Sequence, residues 1–238
     1  MRIPKKACCI YLATALWLGV GIAGVARASS DKLIYDASIA FIQAGQVRLE
    51  RNFLDESYEL GGRIQTSAML RPFFSWTGAV AAVGHWGEID PNSTGYLLDS
   101  TGRKGRRELT LVAHQRFTQY RSTRGWKEGD APGGVDIMSV LFMSQQCFRG
   151  SMIHDGEDSY PIELRATRDE KVNLGSRRFK GATRRCDYAG EDLRGRSRDV
   201  SVWLAKPAGL ARAAPVKIKV SVPNAPAGVL LLKLPEAQ

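Results

Sequence analysis

Along most of this chain apolar and polar residues alternate one by one, the signature of strands that bury a single face. Lys32 to Ile42 puts Leu33, Tyr35, Ala37, Ile39 and Phe41 on one side. Gln43-Ala44-Gly45 predicts a turn. Val47 and Leu49 then alternate with Arg48 and Glu50, and Ser57 to Gln65 supplies a third strand. Thr77 to Glu88 continues the pattern with small residues (Gly78, Ala79, Ala81, Ala82, Gly84) that let neighbouring strands pack closely. Asp90-Pro91-Asn92 signals a turn. Tyr96–Leu98 and Arg107–Ala113 predict a hairpin with Leu109, Leu111 and Ala113 inward, and Gln115 to Arg124 reads as extended. Gly125 to Gly134 reads as a loop. Further strands are expected over Ser159–Thr167, Arg178–Tyr188, Asp199–Lys206, Val216–Val222 and Val229–Leu234. The cleanest alternation is in Val216 to Val222, where Val216, Ile218, Val220 and Val222 point in while Lys217, Lys219 and Ser221 point to water.

Two stretches depart from period two. Leu70 to Trp76 carries Pro72, which argues against an interior strand. Its cluster Phe73, Phe74 and Trp76 predicts a plug or short helical turn at one mouth of the sheet, serving either as core or as a hydrophobic ligand contact. In the second stretch Asp136 is a suitable N-cap. Ile137, Met138, Val140, Leu141, Phe142 and Met143 then surround most of a helix, which should therefore be buried. The expected fold is mainly β: a curved antiparallel meander sheet, half-barrel or open barrel, with one buried helix near 136–148.

The amino terminus changes how much of the chain belongs to that fold. Arg2, Lys5 and Lys6 precede an uncharged apolar run from Ala7 to Val25, and Ala26-Arg27-Ala28 offers small residues at a cleavage site. This is the pattern of a secretory signal peptide, although a run of about 19 residues could also be retained as a membrane anchor. The expectation is a signal peptide over 1–28, a single periplasmic β-rich domain over 29–238, and export to the periplasm. Removing four cations with the signal takes the net charge from +10 to +6. It also takes Cys8 and Cys9, which leaves Cys147 and Cys186. In an oxidising compartment two cysteines are most simply a disulfide. The competing reading is a reactive Cys147 thiol near His154.

Several residues, taken in order, resemble the exported "domain of unknown function 3108" family. They are Asp136-Ile-Met-Ser-Val-Leu141 before a cysteine, Asp155-Gly156 ahead of Tyr160, Cys186, Trp203, and Pro215-Val-Lys-Ile218 followed by Gly228-Val-Leu-Leu-Leu232. Tyr35 and Phe73-Phe74-Ser-Trp76 fit as well. The resemblance implies a curved antiparallel sheet in the bacterial periplasm and brings no catalytic residues with it.

Chemistry is sparse. His85, His114 and His154 are scattered without metal-ligand spacing, so no metal or other cofactor is expected. No G-x-S-x-G elbow, P-loop or dinucleotide fingerprint occurs. Glu157-Asp158 and Glu191-Asp192 are adjacent pairs, which on a strand face opposite ways. No catalytic residue is assigned, and a hydrolase ranks third among the readings. Basic clusters stand out instead: Arg103, Lys104, Arg106 and Arg107 at a hairpin tip, then Arg177, Arg178, Lys180, Arg184 and Arg185, with Arg194, Arg196 and Arg198 following. Arginine forks suit phosphate and carboxylate, although such clusters also serve as plain solvated surface. Nucleic acid is a poor partner for an exported chain without a recognition fold. The reading is a non-enzymatic periplasmic envelope protein that binds a lipid, lipopolysaccharide or another hydrophobic or anionic envelope component. Its candidate contacts are Phe73, Phe74, Trp76, Arg103, Lys104, Arg106 and Arg107. The alternative is a structural or protein-interaction module with an envelope protein partner and no small ligand.

Overall fold

The computed structural model describes residues 29–234 apart from 72–74, 88–89, 103–104, 113–115, 122–124, 131, 192–194 and 196. The first half of the chain forms β1 (Ser29–Ile39), β2 (Ile42–Phe53), β3 (Ser57–Thr66), β4 (Trp76–Trp86), β5 (Pro91–Gly102), β6 (Gly105–Val112), β7 (Arg116–Arg121) and β8 (Gly125–Asp130). After β9 (Val135–Asp136) comes the helix α1 (Ile137–Met143), then β10 (Met152–His154). The second half adds β11 (Ser159–Asn173), β12 (Lys180–Glu191), β13 (Ser197–Ala205), β14 (Ala214–Val222) and β15 (Ala225–Lys233).

The fold is mainly β, an open and mostly antiparallel meander with one helix among the described residues. Strand order is β8-β7-β6-β5-β4-β3-β2-β1-β15-β14-β13-β12-β11-β10-β9. The short strands β9 and β10 pair with each other in parallel over the start of β11 and extend a main sheet of 13 strands. Both halves are simple meanders, joined where β1 pairs with β15 from Ile34↔Lys233 to Ile39↔Gly228. The chain leaves one edge at Asp130 and re-enters beyond the other at Val135. Five Cα–Cα steps reach at most about 18 Å, so the sheet must curl back on itself.

Three contacts hold the two ends of that curl near each other. The Asp136 amide donates to Ser93 Oγ on β5 (3.2 Å), Arg107 on β6 pairs with Glu157 (2.7 Å), and the His154 ring stands edge-on to Tyr96. Gly156 sits in the left-handed region at φ 92° and lies so close to Leu109 and Tyr96 that a Cβ would collide with both.

Where the structure departs from the sequence reading, the causes are local. Gly125–Asp130 is a strand, not loop. It lies at the sheet edge, exposed on both faces, so nothing imposes an apolar alternation on it. The helix spans 137–143 instead of 136–148. Ser144 turns to an extended ψ of 130°, and the Gln145 side chain donates to the Met143 carbonyl. Cys147 therefore lies beyond the helix. Asp136 does cap it, its carboxylate accepting from the Ser139 amide at 2.8 Å. Pro91 begins β5 instead of forming a turn, and Pro215 lies within β14, where the β13–β14 register shifts.

The core lies inside the curl. Leu33, Tyr35, Val47, Leu49, Phe53, Tyr58 and Leu60 from β1–β3 meet Met138, Phe142 and Met143 of α1, and Val202, Val216, Ile218 and Leu232 continue it across β13–β15. Arg51, on the same face of β2 as Leu49 and Phe53, is fully buried.

Candidate functional site: an apolar pocket beside the helix

α1 fills only part of the hollow. Towards β1–β5 its side chains are packed: Phe142 meets the Tyr35 ring at 5.4 Å and Ser139 Oγ accepts from the Tyr58 hydroxyl at 2.8 Å. Towards β11–β14 a cavity of about 330 Å³ remains, within the range of small-ligand sites. Its helical wall is Ile137, Val140, Leu141 and Ser144, and its sheet wall includes Tyr188, Val200, Val202 and Leu204. Val200, Val202 and Leu204 point the same way along β13, as alternation requires. Ile153, Tyr160 and Ile162 close one side, and Glu191, Arg198 and Val220 stand at the mouth.

Two polar groups stand out in this apolar lining. Ser144 is 3 % exposed, and its Oγ has no hydrogen-bond partner. A buried hydroxyl left unsatisfied costs on the order of 1–3 kcal/mol, so a polar ligand atom reaching it would be favoured. The Tyr188 hydroxyl instead bonds the Phe148 backbone, and burial pushes its ionisation well above the ordinary tyrosine range. The wall is thus uncharged at neutral pH, with its ionic groups confined to the mouth.

The helix that forms this wall is fixed at its far end by Arg51. Its guanidinium donates to the Phe142 carbonyl (2.8 Å), the Ala213 carbonyl (2.9 Å) and Asp31 (2.6 Å). Asp31 also accepts from the Ala211 amide at 2.7 Å. Burial draws the Arg51 pKa below its ordinary value, and the Tyr35 hydroxyl and Asp31 act against that shift. Just after the helix Cys147 is bonded to Cys186 on β12, with Cα atoms 5.5 Å apart. The pocket wall is therefore clamped on both sides.

The other candidate residues lie elsewhere. Phe73, Phe74, Arg103 and Lys104 fall outside the described residues. Trp76 opens β4, where its amide and carbonyl both engage Thr66 Oγ1 and its ring lies over Gly78 and Gly102. Arg106 pairs with Asp99 (3.0 Å) and Glu108 (2.9 Å) on the hairpin surface, and Arg107 is the Glu157 partner at the seam. None of these three lines the pocket. In the second basic cluster Arg178 pairs with Asp36, Arg184 with Asp169, and Arg185 with Asp187. Much of the cluster's charge is thus met by carboxylates on neighbouring strands.

The reading of a reactive Cys147 thiol near His154 is also taken apart. Cys147 is in the disulfide, and His154 is buried with Nδ1 accepting from the Gly156 amide at 3.1 Å. Asp155 accepts from the Glu157 and Asp158 amides and the Tyr160 hydroxyl, the work of a turn residue. Among the described residues no cluster of three or more His, Cys, Asp or Glu side chains could hold a metal ion. Ser144 was not singled out by sequence, because it opens the polar stretch Ser144-Gln145-Gln146, which gives no local sign of burial. No protein-family model, curated protein or solved structure matches the chain.

Proposed function

We propose that this is a non-enzymatic envelope protein, exported to the periplasm, that holds a lipidic or similarly hydrophobic ligand between α1 and β11–β14. The observation that carries the reading is the apolar cavity of about 330 Å³ with one orphaned hydroxyl, Ser144, in its wall. An acyl chain would lie against Val140, Leu141, Val200 and Val202, with a carbonyl within reach of Ser144. An anionic headgroup would sit at the mouth, near Arg198. The residues that resemble the domain of unknown function 3108 family and the amino-terminal export pattern agree with a periplasmic setting.

Binding of a fluorescent fatty acid to the purified protein tests the reading, with native mass spectrometry for co-purified lipid alongside. Leu141→Trp should fill the cavity and abolish uptake while thermal unfolding changes little. Ser144→Ala should weaken uptake several-fold, in keeping with the loss of about 1 kcal/mol from one hydrogen bond. Wild-type protein that carries no lipid and takes up no probe would sink the proposal.

A further inference from the structure

The meander brings the β1–β2 and β14–β15 turns and the paired ends of β3 and β4, β5 and β6, β7 and β8, and β12 and β13 to one end of the curled sheet, and the pocket mouth opens near that end. The largest exposed apolar side chains gather there as well. Phe41, at the tip of β1–β2, is fully exposed, and Met69, Ile42 and Ile39 are 62 %, 50 % and 48 % exposed. Trp126, second residue of β8, is 66 % exposed. Met69 is held beside the β1–β2 tip because Ser67 bonds the carbonyls of Ala44 (2.9 Å) and Gln43 (2.8 Å). The tip itself is a two-residue turn in which Ala40 adopts φ 54°. That left-handed conformation is unfavourable for alanine, yet it projects Phe41 outward.

Register ties this apolar tip to the pocket. Ile39 lies opposite Gly228, Gly228 opposite Val220, and Val220 opposite Val200. Directly paired residues share a face, so Ile39 and the pocket residues Val220 and Val200 stand in one row on the concave side. With strands about 4.8 Å apart, Ile39 is roughly 10 Å from Val220. The exposed charges nearest the tip are basic. Arg71, which bonds the Thr66 carbonyl, and Lys219, in the row of Ser38, lie there, with Lys217, Arg48 and Arg63 further along the strands; the nearest acid, Asp36, is paired with Arg178. Arg71 in the β3–β4 turn and Lys219 beside Val220 are exposed. Acids do occur at the mouth (Glu191) and along β13 (Asp199), so the cationic sector is the β1–β3 and β14–β15 side.

We infer that this end docks on the surface of an anionic phospholipid membrane, with Phe41, Ile42 and Met69 inserted among the lipids and the pocket mouth facing the bilayer. Apolar insertion flanked by basic side chains is the arrangement of interfacial binding, and lysine and arginine near the surface add attraction to anionic headgroups. The inference deepens the ligand reading by naming the source: the acyl chain enters the pocket from the membrane, along the row from Ile39 to Val220.

The test uses protein recovered from the periplasm of an expressing bacterium and co-sedimented with vesicles of phosphatidylglycerol or of phosphatidylcholine alone. Wild-type protein should bind the anionic vesicles, less so in high salt, and the neutral ones weakly. Phe41→Asp with Met69→Asp should reduce binding about tenfold or more, while thermal unfolding and uptake of a soluble fatty-acid probe stay unchanged. Leu141→Trp, which blocks the pocket, should still bind vesicles. Vesicle binding by wild-type protein that takes up no probe would remove the ligand reading and leave docking standing. Probe uptake without vesicle binding, or vesicle binding unaffected by the Phe41 and Met69 changes, would overturn docking. A wild-type dimer that becomes monomeric on Phe41→Asp would also overturn it, since a second copy would then cover the tip.

Discussion

Arg51 is a charged side chain with no exposed surface, and it decides how α1 sits. Its alternation partners Val47, Leu49 and Phe53 place it on the apolar face of β2, so its inward direction was legible in the sequence. What it meets was not, because Asp31, Phe142 and Ala213 come from three distant parts of the chain. Removing one partner from a buried ion pair leaves the other charge unsatisfied and costs about 3–5 kcal/mol. Arg51→Ala should therefore lower stability by roughly that amount in urea unfolding. A change within about 1 kcal/mol, the value typical of an exposed pair, would show that the helix is held by its other contacts without Arg51.

On the outer face Asp187 gathers Arg168 (2.8 Å), Arg185 (2.7 Å) and Ser201 (2.6 Å) across three strands. Burial pushes its carboxyl up, but the hydrogen bonds from Ser201, Arg185 and Arg168 outweigh this and hold it below its ordinary value of 3.8. A carboxylate depressed in the folded state contributes stability that is present above the unfolded pKa and is lost as pH falls through the folded one. Stability should thus decline as pH drops below about 3.8. Asp187→Asn should flatten that part of the curve of unfolding midpoint against pH, and an unchanged slope would assign the acid sensitivity to other carboxylates.

Among the elements, α1 shows how a short helix becomes a fixed wall. Seven residues are too few for independent stability, so the helix depends on its ends and its packing. Asp136 caps one end, Arg51 bonds a carbonyl near the other, and the Cys147–Cys186 bridge ties the following segment to β12. The cap was readable from Asp136 before an apolar run, and the disulfide from the export pattern and cysteine count. The helix end was not, because Ser144-Gln145-Gln146 carries no strong stop signal and the break depends on the Gln145 side chain. A loop of 39 residues closed by the bridge gives about 4 kcal/mol in the chain-entropy model. Cys147→Ser with Cys186→Ser should lower stability by about that much and loosen α1 first, seen as faster hydrogen exchange in 137–147. Uniform exchange across the sheet would mean that the bridge stabilises the chain without fixing the helix.

At the scale of the whole molecule, alternation along the chain determined the strands, their inward faces and the antiparallel meander, because a strand with one buried face must repeat every second residue. Local chemistry determined the helix start, and composition together with the amino-terminal pattern pointed to the disulfide. Only the tertiary structure decided the rest. Edge strand β8 carries no apolar alternation since it buries neither face. The curl depends on long-range closure between β5–β6 and the 154–157 turn, which no local pattern encodes. Period two said that Val200, Val202 and Val220 face inward, but an inward face can be filled or left open with the same residues. α1 is too narrow to cover the whole concave face, and Arg51 on β2 and Tyr58 on β3 hold it towards β1–β5. That placement leaves the hollow over β11–β14 as the pocket, with its mouth at the same end as Phe41.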